Sequence, residues 1–269
     1  MELLQQLVFG LIQGVIEWLP ISSEGFLLLA SSNFFGNVDL NLFLKQALFL
    51  HLGTFFAALV YFRKDVLELT KGVLRYNESG TETKRVLNFL FVATIISGVL
   101  GLAILNFFKF INIQEIPLTS TSINLFIGSL LIITGFLQLK ASSAGYKKTL
   151  HLNNKDGIFL GFMQGLAVLP GLSRSGLTIS GLLFRNFDET VALKLSFIMS
   201  LPIVLLGNLV LNFSDFVFLK EMFFGFLFSF IFGLLTIHLL MEFSRKVKFG
   251  FFVIFFGILT IFAGLINLL

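Results

Sequence analysis

Cysteine is absent from this chain, and charge is scarce: only 13% of its 269 residues are Asp, Glu, Lys or Arg. Without cysteine there is no disulfide, no thiolate chemistry and no iron–sulfur site. So little charge, beside 56% hydrophobic residues and a mean hydropathy of +0.94, excludes a soluble domain of this size. The short alternating segments of a β-barrel are missing too. Only three histidines are present, and no group of His, Asp and Glu has metal-ligand spacing. The N-terminus runs from Met1 and Glu2 directly into apolar residues, without the positive leader of a cleaved signal peptide. The formal charge of +4 is gathered in a few loops, a pattern of membrane topology rather than of nucleic-acid binding. The 37 phenylalanines read as compositional bias.

What is present is a series of apolar runs of bilayer length, at 86–108, 121–139, 222–241 and 249–269, with 47–62 and 190–213 as two more. The connecting segments 63–85, 140–155 and 242–248 are basic, whereas 109–120 and 214–221 hold one lysine each. The positive-inside rule puts the basic loops in the cytoplasm and the lysine-poor ones outside. Regions 1–35 and 156–185 are apolar but broken by 20-PISSEG-25 and 170-PGLSRSG-176. Between the inside loop 140–155 and the outside loop 214–221 there is room for one crossing, which 190–213 supplies. Region 156–185 must therefore enter and leave on one side as a re-entrant hairpin, and region 1–35 does the same from the outer side.

The two broken regions align: 10-GLIQGVIEWLPISSEG-25 with 161-GFMQGLAVLPGLSRSG-176. Gln13 matches Gln164, Gly14 Gly165, Pro20 Pro170, Ser22 Ser173 and Gly25 Gly176. Each is followed by three spans, and an odd number of crossings inverts the second half relative to the first. The expected architecture is an all-α integral membrane protein, one polytopic domain over 1–269. It has six transmembrane helices and two re-entrant helix–loop–helix hairpins in two inverted repeats, about 1–139 and 156–269, joined by a basic cytoplasmic linker, about 140–155.

The hairpin tips carry the chemistry. A helix starting near Ser173 to Gly176 would offer free N–H groups and a positive dipole end to an anion. Arg174 adds a charged fork suited to phosphate oxygens, Ser173, Ser175 and Thr178 add hydroxyls, and Gly171 and Gly176 admit close backbone approach. In the first tip Gln13 and Glu17 stand four apart on one helix face. A carboxylate in such surroundings pairs with Arg174 as a structural bridge, binds a divalent metal, or works as an acid or base. Ser22 and Ser23 offer a nucleophile or a phosphate ligand. A metal would be held by Glu17 together with substrate phosphates. His51, at the start of the run 47–62, reads first as a packing or interfacial residue, as does Trp18, whereas His151 in a basic loop and His238 near a helix end read as solvated or interfacial.

The sequences 13-QGVIEWLPISSEG-25 and 170-PGLSRSGLT-178 together resemble the undecaprenyl pyrophosphate phosphatase family of the BacA type. The resemblance covers essentially the whole chain. It implies a membrane enzyme that removes one phosphate from a long isoprenyl pyrophosphate to recycle the lipid carrier of the cell envelope, at a site opening to the outer face of the cell membrane. Carried over by position, Glu17 is the essential acid, Gln13 a tolerated variant of a second acidic position, and Ser22 and Ser23 the paired serines, with Ser23 as nucleophile. Ser173, Arg174, Ser175, Gly176 and Thr178 form the pyrophosphate-binding signature; the site would work with or without Mg²⁺ or Ca²⁺, and a homodimer is compatible with the reading. Phe26 stands where the family usually has histidine; if that histidine is the general base, this chain must use Glu17, Glu24 or His51 instead, or be slow or altered in substrate. Glu24 occupies a position often held by Thr or Ser. The Ser-Glu-Gly variant suggests archaeal-like members and a dolichyl-type carrier. The rival expectation is a polyprenyl-phosphate transporter or flippase that uses the same inverted-repeat site without hydrolysis.

Overall fold

A computed structural model of the chain describes residues 2–35, 40–110, 119–141, 145–211, 220–243 and 249–266. Among them every regular element is helical, and the only β-type pairing is an isolated bridge between Lys147 and Phe187. The two broken regions are each a pair of short helices: α1 (Glu2–Ile16) with α2 (Ser23–Ala30), and later α7 (Asn154–Leu166) with α8 (Arg174–Phe184). The five helices long and apolar enough to cross a bilayer lie within α3 (Leu40–Tyr61), α5 (Thr81–Phe110), α6 (Ser120–Lys140), α9 (Glu189–Leu211) and α10 (Lys220–Phe243). The expected run 249–269 is α11 (Phe249–Ile266); residues 267–269, and most of loops 109–120, 214–221 and 242–248, lie outside the described residues. A further helix, α4 (Arg63–Leu74), follows α3 directly.

One boundary differs from expectation in a way that matters. The run 47–62 is the second part of a longer helix that begins at Leu40, because Leu42, Phe43 and Leu44 extend the apolar pattern past Lys45. His51 therefore sits midway along α3, about 15 Å from either end at 1.5 Å per residue, and not at its start.

The packing order places the hairpins. Side by side, the helices run α7, α5, α9, α3, α10, α1, while α6 pairs with α11 and touches both α2 and α8. Lipid gives little hydrophobic incentive for such contacts, so close approach of small residues has to supply it. At Gly10 a Cβ would stand 2.3 Å from the Gly225 carbonyl oxygen of α10, and at Gly161 it would stand 2.8 Å from the Ala93 carbonyl oxygen of α5. The aligned glycines of the two halves thus do the same work on two different helices.

On the basic side, the linker is strapped to the turn between α8 and α9. The Tyr146 and Lys147 amides donate to the Asn186 carbonyl (3.1 and 2.9 Å), and the Asp188 amide donates back to Lys147 (3.0 Å). Lys148 pairs with Asp188 at 3.2 Å. Burial alone would raise the Asp188 carboxyl, but the Lys148 ammonium and the amides of Val191 and Thr190 outweigh it and leave it below the usual carboxylate range.

Candidate active site

Both helix pairs turn back toward the same point. α1 ends at Ile16 and α7 at Leu166, a turn ahead of Pro20 and Pro170, and Gly171 closes the second tip at φ +107°, a conformation that L side chains rarely adopt. Each tip then opens a new helix under a serine cap. Ser22 Oγ accepts from the Gly25 amide at 3.1 Å, and Ser173 Oγ accepts from the Gly176 amide at 2.9 Å. These aligned serines start α2 and α8 in the same manner. The first-turn amides of Ser23, Glu24, Arg174 and Ser175 carry no hydrogen bond among the described residues.

The tips are locked to each other. The Gly171 amide donates to Ser22 Oγ (2.9 Å), Ser175 Oγ donates to the Leu19 carbonyl (2.7 Å), and Gln138 Nε2 from α6 donates to the Pro20 carbonyl (2.5 Å). A small cavity remains between them, lined by Glu17, Ser22, Ser23, Glu24, His51, Ser173 and Arg174 with the apolar Ile21, Ala167 and Leu172.

Glu17 is the centre of this arrangement and is only 5% exposed. Its Oε1 accepts from Arg174 Nη2 at 2.6 Å. Its Oε2 accepts from Ser23 Oγ at 2.6 Å and Gln13 Nε2 at 2.9 Å, and faces His51 Nε2 at 3.2 Å. The Gln13–Glu17 pairing is the one their spacing predicts, although Glu17 is already the first residue beyond α1. Arg174 also donates from Nη1 to the Ser196 carbonyl of α9 (3.2 Å) and lies 5.6 Å above the Trp18 ring. Trp18 in turn meets Phe197 edge-on, with centroids 4.9 Å apart. The guanidinium is thus fixed from three sides, and its side chain is only 13% exposed.

His51 is the residue that sequence reading underrated. It is buried, its Nδ1 is 2.7 Å from the Ala47 carbonyl of its own helix, and its Nε2 points at Glu17. A carbonyl only accepts, so Nδ1 carries a proton and Nε2 is the nitrogen left for exchange with Glu17. Its sequence neighbours are apolar, and only the midpoint of α3, hidden by the late start assigned to that helix, marked it. Glu24 lines the cavity and forms no hydrogen bond or ion pair among the described residues. Phe26, by contrast, packs 5.6 Å from Phe256 of α11 and does not line the cavity.

Three expected ligands stand behind the cavity wall. Thr178 Oγ1 is shared between the Arg174 carbonyl (2.8 Å) and Ser196 Oγ (2.6 Å), which fastens α8 to α9. Ser175 joins the two tips, and Gly176 lies against Gln138 of α6, where a Cβ would meet Nε2 at 2.7 Å. The motif PGLSRSGLT therefore divides between ligand-facing and scaffold positions. Gln138, the Ser196 carbonyl and Trp18 support the site and have no sequence signal beyond being polar or aromatic in an apolar run. His151 is exposed in the linker, and His238 pairs with Glu242 at 3.6 Å on an exposed face, as expected of both.

Two helix N-termini, a fixed guanidinium and a carboxylate holding a serine hydroxyl define an anion-directed site inside a multi-pass α-helical membrane protein. The profile of the family described as Bacitracin resistance protein BacA matches residues 6–262, and the chain belongs to that family. It is 38% identical to an undecaprenyl-diphosphatase of Methanococcoides burtonii, over 97% of this chain and 98% of that protein. Proteins of the same description from Methanothrix thermoacetophila and Haloarcula marismortui are 37% and 33% identical, each over 95% or more of both chains.

Proposed function

We propose that the protein is a membrane-embedded phosphatase of long-chain polyprenyl pyrophosphates, releasing inorganic phosphate and the polyprenyl monophosphate that serves again as envelope lipid carrier. The observation that carries this reading is the position of Glu17. It holds the Ser23 hydroxyl on one oxygen and the anion-binding Arg174 on the other, and so joins a nucleophile to a phosphate-binding group across the two tips. Family membership and the naming of the relatives support it.

In the reaction, the isoprenyl tail lies among the lipid-facing helices and the pyrophosphate enters between the tips. The unpaired amides of α2 and α8 and the guanidinium of Arg174 receive the phosphate oxygens, and Arg174 moves from carboxylate to phosphate. The Ser23 hydroxyl, or a water in its place, attacks the terminal phosphorus while its proton passes to Glu17 Oε2. The bond from that phosphorus to the bridging oxygen breaks, and the bridging oxygen leaves on the polyprenyl monophosphate. Where Ser23 is the nucleophile, a water then attacks the phosphoserine phosphorus, giving a proton to Glu17, and the bond to Ser23 Oγ breaks as Oγ takes up a proton and inorganic phosphate leaves. His51 supplies the imidazole that position 26 does not. The proton taken by Glu17 can pass to His51 Nε2 and from there to the departing phosphate, which restores the carboxylate and the imidazole for a second cycle.

A divalent cation brought in on the pyrophosphate could be held by Glu17, once Arg174 has moved from its Oε1 to the phosphate. Before that both Glu17 oxygens have donors, and no three His, Asp or Glu side chains gather into a metal site among the described residues. Glu24, which lines the cavity with no hydrogen bond or ion pair among the described residues, is a second carboxylate that could hold Mg²⁺ or Ca²⁺; such a cation would neutralise phosphate charge.

The inverted-repeat reading belongs to the same proposal. Exchanging α1 with α7, α3 with α9 and α5 with α10 maps the helix row α7, α5, α9, α3, α10, α1 onto its own reverse. With the basic loops inside, the positive-inside rule supports a protein of the cell membrane whose site opens to the outer face. The test is phosphate release from a long-chain polyprenyl pyrophosphate by purified protein, beside Arg174→Ala and Glu17→Gln. Wild type no faster than both variants sinks the enzyme reading. Translocation of a lipid monophosphate in proteoliposomes without hydrolysis favours the transporter instead.

A further inference from the structure

The site leaves α4 unexplained. The helix begins one residue after α3 ends, and Phe62 between them is buried, so α4 leaves the membrane span with no slack. At about 100° per residue, Arg63, Leu67 and Leu74 fall within about 40° of one another, and Lys64 and Lys71 form a second stripe beside them. Leu67 is 59% and Leu74 79% exposed, and Arg63, Lys64 and Lys71 are exposed as well. The opposite face is covered: Gly72 is buried against Thr83 and Leu87 of α5.

The charges are sorted by face. Asp65 pairs with Lys194 of α9 at 2.6 Å, and Glu68 accepts from Thr83 of α5 at 2.7 Å, so both acids are spent on the protein. Lys64 and Lys71 form no ion pair among the described residues. The free face of α4 therefore shows an apolar stripe edged by unneutralised cations. It stands at the end of a span of about 33 Å, which puts it at the level of the headgroups.

We propose that α4 is an interfacial helix that binds anionic phospholipids of the leaflet at the C-terminal end of α3. Leu67 and Leu74 enter the acyl boundary, and Lys64 and Lys71 reach to headgroup phosphates. Charge complementarity and the direct continuation from a span favour this occupant over a protein partner. The proposal is independent of the catalytic reading.

The absence of cysteine makes the test clean, because single labelling sites need no background removal. Nitroxides are placed at Leu67→Cys, at Leu74→Cys and, as a water-exposed reference, at Asn77→Cys. The labelled proteins are reconstituted in vesicles containing phosphatidylglycerol or phosphatidylcholine alone. In phosphatidylglycerol the labels at 67 and 74 should be open to oxygen and shielded from a water-soluble nickel chelate, and that at 77 the reverse. Removing the anionic lipid, or Lys64→Ala with Lys71→Ala, should raise nickel access at 67 and 74, since each lysine near an anionic surface multiplies attachment about fivefold. Nickel access at 67 and 74 equal to that at 77 in phosphatidylglycerol overturns the proposal. So does indifference to both lipid charge and the lysine changes. Shielding from both reagents, with spin coupling between copies, overturns it in favour of a second chain.

Discussion

Replacing His51 by glutamine separates the proton-handling role of this residue from its contacts. A glutamine amide can still donate toward Glu17 Oε2, which His51 Nε2 approaches at 3.2 Å, but it cannot take up a proton. The anion-binding groups are untouched, because Arg174 is anchored by Ser196 and Trp18 and not by His51. Positioned acid–base groups contribute about 10²- to 10⁴-fold, so His51→Gln should lose about that much in kcat with KM little changed. The assay is initial phosphate release in detergent micelles across a range of substrate, with Arg174→Ala as the inactive reference. A kcat for His51→Gln within about threefold of wild type would refute the role, since a loss that small is far below the acid–base range. A rise in KM at constant kcat would instead assign His51 to uniform substrate binding. Phe26→His is the companion measurement. Because Phe26 packs on Phe256 and not on the cavity, it should leave kcat nearly unchanged. A large gain would show that position 26 reaches the reacting groups after all.

Arg174→Ala strands the buried Glu17 carboxylate and should cost about 3 kcal/mol or more of stability as well as activity. The pair Arg174→Met with Glu17→Leu should recover much of the thermal stability while remaining inactive, and a double variant no more stable than Arg174→Ala contradicts this. Gly10→Ala puts a methyl 2.3 Å from a backbone carbonyl that cannot rotate away, so α1 must separate from α10. A loss of about 1–3 kcal/mol in detergent unfolding is expected, and an unchanged Tm would argue against this helix contact. Asp188 is held below the ordinary carboxylate pKa when folded, so the stability it lends the linker strap is present above about pH 4 and is lost as pH falls through the lower folded value. Proteolysis of residues 145–153 should accordingly stay slow at neutral and mildly acid pH, and Asp188→Asn should speed it throughout that range. A strap that opens between pH 5 and 7 in the wild type would contradict the assignment.

The fold was legible because its strongest signals are local. Apolar runs of bilayer length and two proline breaks are properties of neighbouring residues, and they yielded the five helices of bilayer length and the two broken helix pairs. The Glu17–Gln13 contact was legible for the same reason, being a spacing on one helix. The site was legible only in part. That Arg174 meets Glu17 across the tips was a candidate, but the carbonyl of Ser196 that steadies it is a backbone group, which carries no side-chain signature. Thr178 shows the opposite failure. A hydroxyl within a ligand-binding signature looks like a ligand, whereas helical geometry turns it toward α9 and back to the Arg174 carbonyl. His51 was hidden because an error of a few residues in the start of a helix moves a side chain from the interface to the membrane centre.

The proposed repeat also accounts for how one carboxylate comes to be flanked by two different donors. Aligning 43-FLKQALFLHLG-53 of α3 with 192-ALKLSFIMSLP-202 of α9 matches Leu44, Lys45 and Leu52 with Leu193, Lys194 and Leu201, and sets Ala47 opposite Ser196. The Ala47 carbonyl holds His51, and the Ser196 carbonyl holds Arg174. In the proposed repeat, the same backbone acceptor in each half thus anchors one of the two groups that face Glu17. The halves have not kept the same side chains: Ser200 stands opposite His51. If the halves are repeats as proposed, what is duplicated is a mid-helix carbonyl beside a capped helix start, a frame that fixes a side chain without specifying which residue provides it. On such a frame an imidazole can enter from α3 even though α2 presents Phe26. In the proposed mechanism the acid–base group is then set by which helix reaches the shared carboxylate, and α3 reaches it with its buried His51.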